Sequence, residues 1–168
     1  SPIVPVSSTT GRGVDAIRAA LGDMLADVTP PADTRARLFV DRVFTIRGAG
    51  TVVTGTLIGG CLSSGQEVGL FPAGTARIRG LQTHRRTEDR ACAVVRVAAN
   101  LSNVDRSDIA RGDVLAPSGA WRGTRTFEAE LRPVRGLSHD VTTRGAFKVY
   151  IGASEVDGDE QIAKVSIV

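Results

Sequence analysis

The chain has 168 residues, 42% of them apolar and 4% aromatic, and a formal net charge of +3 at pH 7. That length holds one domain and part of another, or two small ones, whose cores Val, Ile, Leu and Ala must fill. No apolar run approaches a membrane span and no charged-then-apolar signal segment opens the chain, which excludes a helical membrane protein and points to a soluble one.

In chain order the first signal is strand, turn, helix. Ile3, Val4 and Val6 make a short apolar run, residues 7–13 are a loop of small polar residues and glycine, and Val14, Ile17, Leu21, Leu25 and Val28 recur at helical spacing. Thr29-Pro30-Pro31 stops the helix, and residues 31–35 read as a linker. One strand and one helix cannot bury a core. The opening is therefore expected to be the tail of a domain whose body lies elsewhere.

From Arg37 the pattern changes to strands split by glycine turns. Two β-type runs flank Gly48-Ala49-Gly50. In the first, Leu38, Val40, Phe44 and Ile46 share one face in strict alternation, and Arg42 interrupts that face. An Arg in an apolar phase must find a partner or line a pocket. The second run, residues 51–58, is β-branched and broken by Gly55, as a strand bending round a barrel would be. Further strands are expected at residues 68–71, 76–81, 92–99 and 111–115. Short strands at this spacing predict an antiparallel barrel or sandwich, not a parallel sheet. A third unit begins near Thr126, with alternation in residues 127–131 and 146–151. Residues 162–168 end the chain inside an expected strand, which reads as truncation. Cys61 and Cys92 lack metal-type spacing and are too few for a disulfide framework, so a reducing cytoplasm is expected.

The segment Val-Asp-Arg-Val-Phe-Thr-Ile-Arg-Gly-Ala-Gly-Thr-Val-Val-Thr-Gly-Thr, followed in order by Ser-Gly-Gln-Glu-Val, Arg-Ile-Arg-Gly-Leu-Gln and Arg-Gly-Asp-Val-Leu, resembles the second domain of translational GTPases. The Asp41-Arg42 pair makes it most similar to selenocysteine-specific elongation factors. The resemblance implies a mainly β chain in three parts. These are a C-terminal remnant of a phosphate-loop GTPase domain at 1–31, a domain II β-barrel at 36–118 and a partial domain III barrel at 124–168. Pro5-Val6-Ser7-Ser8-Thr9-Thr10-Gly11 resembles the last guanine-contact motif of such a GTPase, with Ser7 and Ser8 as the contact remnant and Ser8 where the family usually has Ala. Nothing in the chain reads Gly-x-x-x-x-Gly-Lys-Ser/Thr, Asp-x-x-Gly or Asn-Lys-x-Asp. No cofactor and no enzymatic activity are expected of the chain alone; GTP and Mg2+ belong to the parent factor. The implied partners are selenocysteinyl-tRNA, the ribosome, and the missing GTPase and C-terminal RNA-binding domains, with no membrane.

By the same resemblance Asp41, Arg42 and Arg96 line the pocket for the amino-acid moiety. A selenol is far more acidic than a thiol of pKa about 8.5, so it is an anion at neutral pH. Guanidinium groups stabilise it through charge-assisted hydrogen bonds worth about 1.5–3 kcal/mol each. Two such bonds favour it over a neutral serine hydroxyl on the order of 10²- to 10⁴-fold. Asp41 would accept from the α-amino group or hold Arg42 in place. Other readings stay open. Asp41 and Arg42 can be an exposed ion pair of little energetic weight, and Arg96, between Val95 and Val97, can pair with Glu67 or Asp113. The family usually has Gly where Val94 stands.

Arg77, Arg79, Arg85 and Arg86, with His84 and Arg90, form a second basic cluster. It reads equally as contacts to the tRNA backbone or as a solvated loop balanced by Glu88 and Asp89. All basic residues but Lys148 and Lys164 are Arg, which fits either phosphate recognition or genomic base composition. His84 and His139 read as loop residues, and Glu128 and Glu130 as solvent-facing. Two further functions remain: the barrel of another translational GTPase, or an interaction barrel with no aminoacyl pocket.

Overall fold

A computed structural model describes residues 3–29, 34–124, 127, 134–137 and 147–158. The chain divides into two compact units, Ser1–Ala32 and Asp33–Val168.

In the first unit, helix α1 spans Val14–Ala26. The loop before it closes on itself, with Ser7 N donating to Arg12 O at 2.9 Å and Gly11 N to Ser7 O at 3.0 Å. Gly13 precedes the helix at φ +76°, where a Cβ would stand 2.2 Å from Pro5 O, so the turn admits only glycine. Residues 3–7 run without a ladder partner, so the expected strand is not formed. A strand needs a neighbour to satisfy its backbone, and the described residues of this unit supply none. No residue of α1 is buried, and Leu21, Met24 and Leu25 stand exposed on it.

The second unit contains the barrel. Its strands are β1 (Arg37–Ile46), β2 (Gly50–Ile58), β3 (Cys61–Ser63), β4 (Glu67–Phe71), β5 (Gly74–Thr83), β6 (Arg86–Glu88), β7 (Arg90–Cys92), β8 (Val95–Ser102) and β9 (Val114–Pro117). They pair in the order β4-β9-β1-β2-β8-β5, and β4 also pairs with β5, which closes six antiparallel strands into a barrel. Closure removes the free edges an open sheet would leave. β6 continues the sheet beyond β5, and β3 with β7 forms a separate two-stranded ribbon. The expected mainly β barrel is what the chain forms. Its interior holds Leu38, Val40, Val53, Leu57, Leu62, Val68, Leu70, Ile78, Leu81, Val97, Ala99, Leu101 and Leu115. Among the described residues no aromatic side chain is buried, in keeping with a composition poor in aromatics.

Two strand expectations need correction. The run at residues 92–99 is not one strand. β7 ends at Cys92 and pairs with β3, whereas β8 begins at Val95 and pairs with β2 and β5, so the chain changes partners at Ala93 and Val94. The face proposed for β1 is also broken. The register against β2 jumps from Val40↔Gly55 to Arg42↔Thr54, leaving Asp41 as the extra residue of a β-bulge. Leu38 and Val40 point into the core, but beyond the bulge the phase flips. Val43 now packs inward, while Phe44 and Ile46 are 38% and 45% exposed. Arg42 therefore lies on the outer face and does not interrupt the core. Gly55 permits the bulge, since a Cβ there would stand 2.1 Å from Phe39 O.

Trp121 folds back on the start of the barrel. Its indole Nε1 donates to Ala36 O at 3.1 Å, and the Arg35 and Arg37 guanidinium groups lie 4.2 and 4.5 Å from its ring centroid. Of the third part, a hairpin of β10 (Phe147–Ile151) and β11 (Ser154–Gly158) is described. Phe127 is in no strand, and the strands expected over 128–131 and 162–168, with Glu128, Glu130 and His139, lie outside the described residues.

Candidate functional site

The bulge in β1 builds the site. An extra residue bends the strand and re-aims its own side chain, and Asp41 is turned to the outer face of β2. There its Oδ1 accepts from Thr54 Oγ1 at 2.9 Å, and its Oδ2 accepts from Arg96 Nη1 on β8. Thr56 faces Arg96 across β2 and β8, and its Oγ1 accepts from the same Nη1 at 3.3 Å. Three adjacent strands thus converge on one carboxylate and one guanidinium. Arg42, next to Asp41, is exposed and makes no hydrogen bond or ion pair among the described residues.

The electrostatics follow from these contacts. The Arg96 hydrogen bond holds the Asp41 carboxyl below the ordinary Asp range; partial burial opposes this, and the Thr54 hydrogen bond and the charges of Arg96 and Arg42 add to it. Arg96 is raised in turn, chiefly by its hydrogen bond to Asp41. Both groups are charged across the physiological range. The Asp41 side chain is 24% exposed and that of Arg96 56%, so the pair is open to solvent.

The partner of Arg96 is Asp41, not Glu67 or Asp113. Glu67 lies opposite Arg77 on β4 and β5, and Asp113 Oδ2 accepts from Ala110 N at 2.9 Å. Asp41 in turn holds Arg96 in place, not Arg42. Thr54 and Thr56 were missed in the sequence, although polar residues two apart in a β-branched run are the signal of an outward row. That row continues on β8 as Arg96, Ala98 and Asn100, and the buried Asn100 Oδ1 has no hydrogen-bond donor among the described residues.

The second basic cluster is divided by the fold. Arg77 and Arg79 lie on the outer face of β5, and Arg77 stands opposite Ser102. Six residues separate Ser102 from Arg96, a distance of roughly 20 Å along a strand. Gln82 stands opposite Ala98, so continuing that register puts the β5–β6 turn level with Arg96. His84 and Arg85 form that turn at φ +49° and +64°, and Arg86 opens β6. Arg85 and Arg86 thus share an end of the barrel with Asp41 and Arg96, whereas Arg77 and Arg79 do not. Arg77 Nη1 also donates to Gly65 O at 3.4 Å. Ser7 and Ser8 belong to the other unit, where Ser7 Oγ accepts from Thr10 N at 3.3 Å.

A cleft of about 490 Å³ lies beside the β1–β2 hairpin, lined by Thr45, Gly50, Arg79, Asn103, Arg106 and Asp108 among others, and does not include Asp41 or Arg96. The charge pair lies on an open face of the barrel. Among the described residues no group of His, Cys, Asp and Glu could hold a metal ion, and no helix is long and apolar enough to cross a membrane. Cys61 and Cys92, too few for a disulfide framework by the sequence reading, face each other across β3 and β7 and form a disulfide. Two cysteines 31 residues apart give no pairing signal until the ribbon sets them opposite.

Residues 50–116 match the family model of elongation factor Tu domain 2. The selenocysteine-specific elongation factor of Desulfomicrobium baculatum is 41% identical over 131 residues, covering 72% of this chain and 20% of that protein. The selenocysteine-specific elongation factor of Haemophilus influenzae is 36% identical over 155 residues, covering 90% and 24%. The crystal structure of a bacterial selenocysteine-specific elongation factor superposes with a TM-score of 0.77 at 25% identity, over 97% of this chain and 27% of that one. The chain thus spans between a fifth and about a quarter of the length of these relatives.

Proposed function

We propose, as the reading that follows from a chain belonging to the selenocysteine-specific elongation factors, that its barrel holds the aminoacyl end of selenocysteinyl-tRNA. Asp41, Arg42 and Arg96 then read the amino acid. The observation that carries this is the bulged Asp41 paired with Arg96 on an open face, with the uncommitted Arg42 beside it.

The geometry refines the energetics. In the free protein Arg96 is already neutralised by Asp41, so an incoming selenolate does not meet two bare guanidinium groups. Arg42 offers uncommitted donors, worth about 1.5–3 kcal/mol in a charge-assisted bond. Arg96 adds a second bond only if Asp41 turns to another cation, and the α-ammonium of an aminoacyl ester is that cation. The ligand's two charges then replace one intramolecular pair by two intermolecular ones. A seryl ester brings the ammonium but no anion, leaving Arg96 without its carboxylate. Discrimination comes from that mismatch.

Around this site the proposed organisation is the tail of a GTPase domain at 1–31, the domain II barrel at 36–118 and part of a second barrel at 124–168. In the intact factor GTP and Mg2+ bind the GTPase body, Ser7 and Ser8 supply one guanine contact, and the complex delivers its tRNA to the cytoplasmic ribosome. Arg85 and Arg86, at the same barrel end as Arg96, are the better placed of the basic cluster for the tRNA backbone. The test is the affinity of the intact GTP-bound factor for selenocysteinyl- and seryl-tRNA as a function of pH. The preference for the first is expected to fall away once the selenol is protonated. A preference independent of pH would refute reading by charge.

A further inference from the structure

The disulfide lies apart from the charge pair but is tied to the strand that carries it. Cys61 and Cys92 join a ribbon only three residue pairs long, with Cys92 exposed and Cys61 half-buried. From Cys92 the chain passes through Ala93 and Val94 into β8, whose second residue is Arg96. Three other features hold this junction. Ala93 N donates to Gly60 O at 3.0 Å, and Leu62 on β3 and Ala91 on β7 reach the core. Gly60 is itself pressed against the linker, where a Cβ would stand 2.2 Å from Thr34 O. β8 itself is laddered to β2 from its first residues, Val95 opposite Leu57 and Arg96 opposite Thr56. Ahead of it, the step through Ala93 and Val94 is anchored by the short β3–β7 ladder, one covalent link, one hydrogen bond and the apolar side chains that reach the core. Only the covalent link can be broken and remade by a thiol in solution.

We propose that Cys61 and Cys92 form a reversible redox couple that sets how firmly the β7–β8 junction holds the Arg96 guanidinium against Asp41. The electron donor is a dithiol. Its thiolate attacks Cys92 Sγ, the bond between the two cysteines breaks, and Cys61 leaves as a thiolate. The donor's second thiol then attacks the mixed disulfide and releases Cys92. Two electrons pass to the protein, Cys61 and Cys92 each gain a proton, and the donor leaves as its own disulfide. The inference concerns the Asp41–Arg96 contact itself and stands whatever ligand the pair binds.

The test uses the 168-residue chain, oxidised, reduced with dithiothreitol and reoxidised, beside a Cys61→Val/Cys92→Val variant that keeps the apolar ribbon without the bond. Alkylation and mass measurement count free thiols, expected to be none, two and none in the three states. The Asp41 carboxyl is titrated by carbon-13 NMR in each. It faces Arg96 from β8, Thr54 from β2 and Arg42 on its own strand, so it reports the position of Arg96 directly. Reduction, and the valine variant, are expected to raise the proton affinity of Asp41 at least about threefold, with return on reoxidation. An Asp41 titration identical in both redox states would overturn the proposal. So would thiols that stay free under oxidising conditions, or a reduced chain that unfolds, which would make the disulfide a structural staple.

Discussion

Replacing Arg96 by methionine tests the electrostatic account without any ligand. Methionine keeps much of the length of the side chain and removes the charge. Asp41 then loses the hydrogen bond that does most to lower its pKa and keeps only Thr54 and the charge of Arg42. The pair is half exposed on the Arg96 side, so its weight is that of a surface ion pair at the upper end of the range, about 0.5–1 kcal/mol. The sign follows from linkage. A carboxyl depressed in the folded state contributes stability above its unfolded pKa of about 3.9, and that stability is lost as pH falls through the folded value. The wild-type chain is therefore expected to exceed Arg96→Met by about 0.5–1 kcal/mol at pH 7, and the gap should narrow as pH drops below about 4. Urea denaturation followed by the fluorescence of Trp121, the single tryptophan, reads this as a midpoint shift of roughly 0.3–0.7 M for an m-value near 1.5 kcal/mol/M. A loss above about 3 kcal/mol would mark a buried pair and refute the open-face geometry. A gap unchanged by acid would refute the assignment to Asp41.

Other outcomes follow from the packing. Leu57→Ala and Leu101→Ala empty sites inside the barrel and are expected to cost about 2–5 kcal/mol each by urea denaturation; losses under 1 kcal/mol would contradict the closed core. Gly55→Ala should prevent β1 and β2 from approaching at the bulge and abolish the cooperative transition, because the obstructing atom is the Phe39 carbonyl oxygen. Gly48→Ala, at φ +82° but in open space, should cost only about 1 kcal/mol. Reduction of Cys61–Cys92, which closes a loop with a sequence separation of 31, is expected to lower stability by roughly 3–4 kcal/mol on the loop-entropy scale while leaving the chain folded in water; no change in the urea midpoint would contradict the loop-entropy account.

The barrel was legible in the sequence because each strand is short, β-branched and bounded by glycine, and these local signals agree with one another. Asp41, Arg42 and Arg96 were named from the resemblance, but their geometry was not legible. Strict alternation placed Leu38, Val40, Phe44 and Ile46 on one face, and a one-residue bulge at Asp41 inverts everything after it. Such a bulge leaves no mark in an apolar pattern. Its trace lies on the partner strand, where Gly55 makes room for Phe39 O. Arg96 found Asp41 in preference to Glu67 or Asp113 because β1 and β8 flank β2, a neighbourhood that topology sets and spacing does not. The division of the run at 92–99 has the same origin, since β7 and β8 answer to different partner strands.

The central claim is that charge on this barrel face selects the amino acid. Its most direct measurement compares Arg42→Gln and Arg96→Gln in the intact GTP-bound factor that carries this segment, with dissociation constants for selenocysteinyl- and seryl-tRNA at one pH and one salt concentration. Contacts to the tRNA backbone weaken with salt but are common to both ligands and cancel in the ratio. Each substitution is expected to weaken selenocysteinyl-tRNA binding by about 10- to 150-fold, the equivalent of one charge-assisted hydrogen bond, and seryl-tRNA binding by much less. Equal losses for the two tRNAs would make Arg42 and Arg96 structural residues and contradict the account.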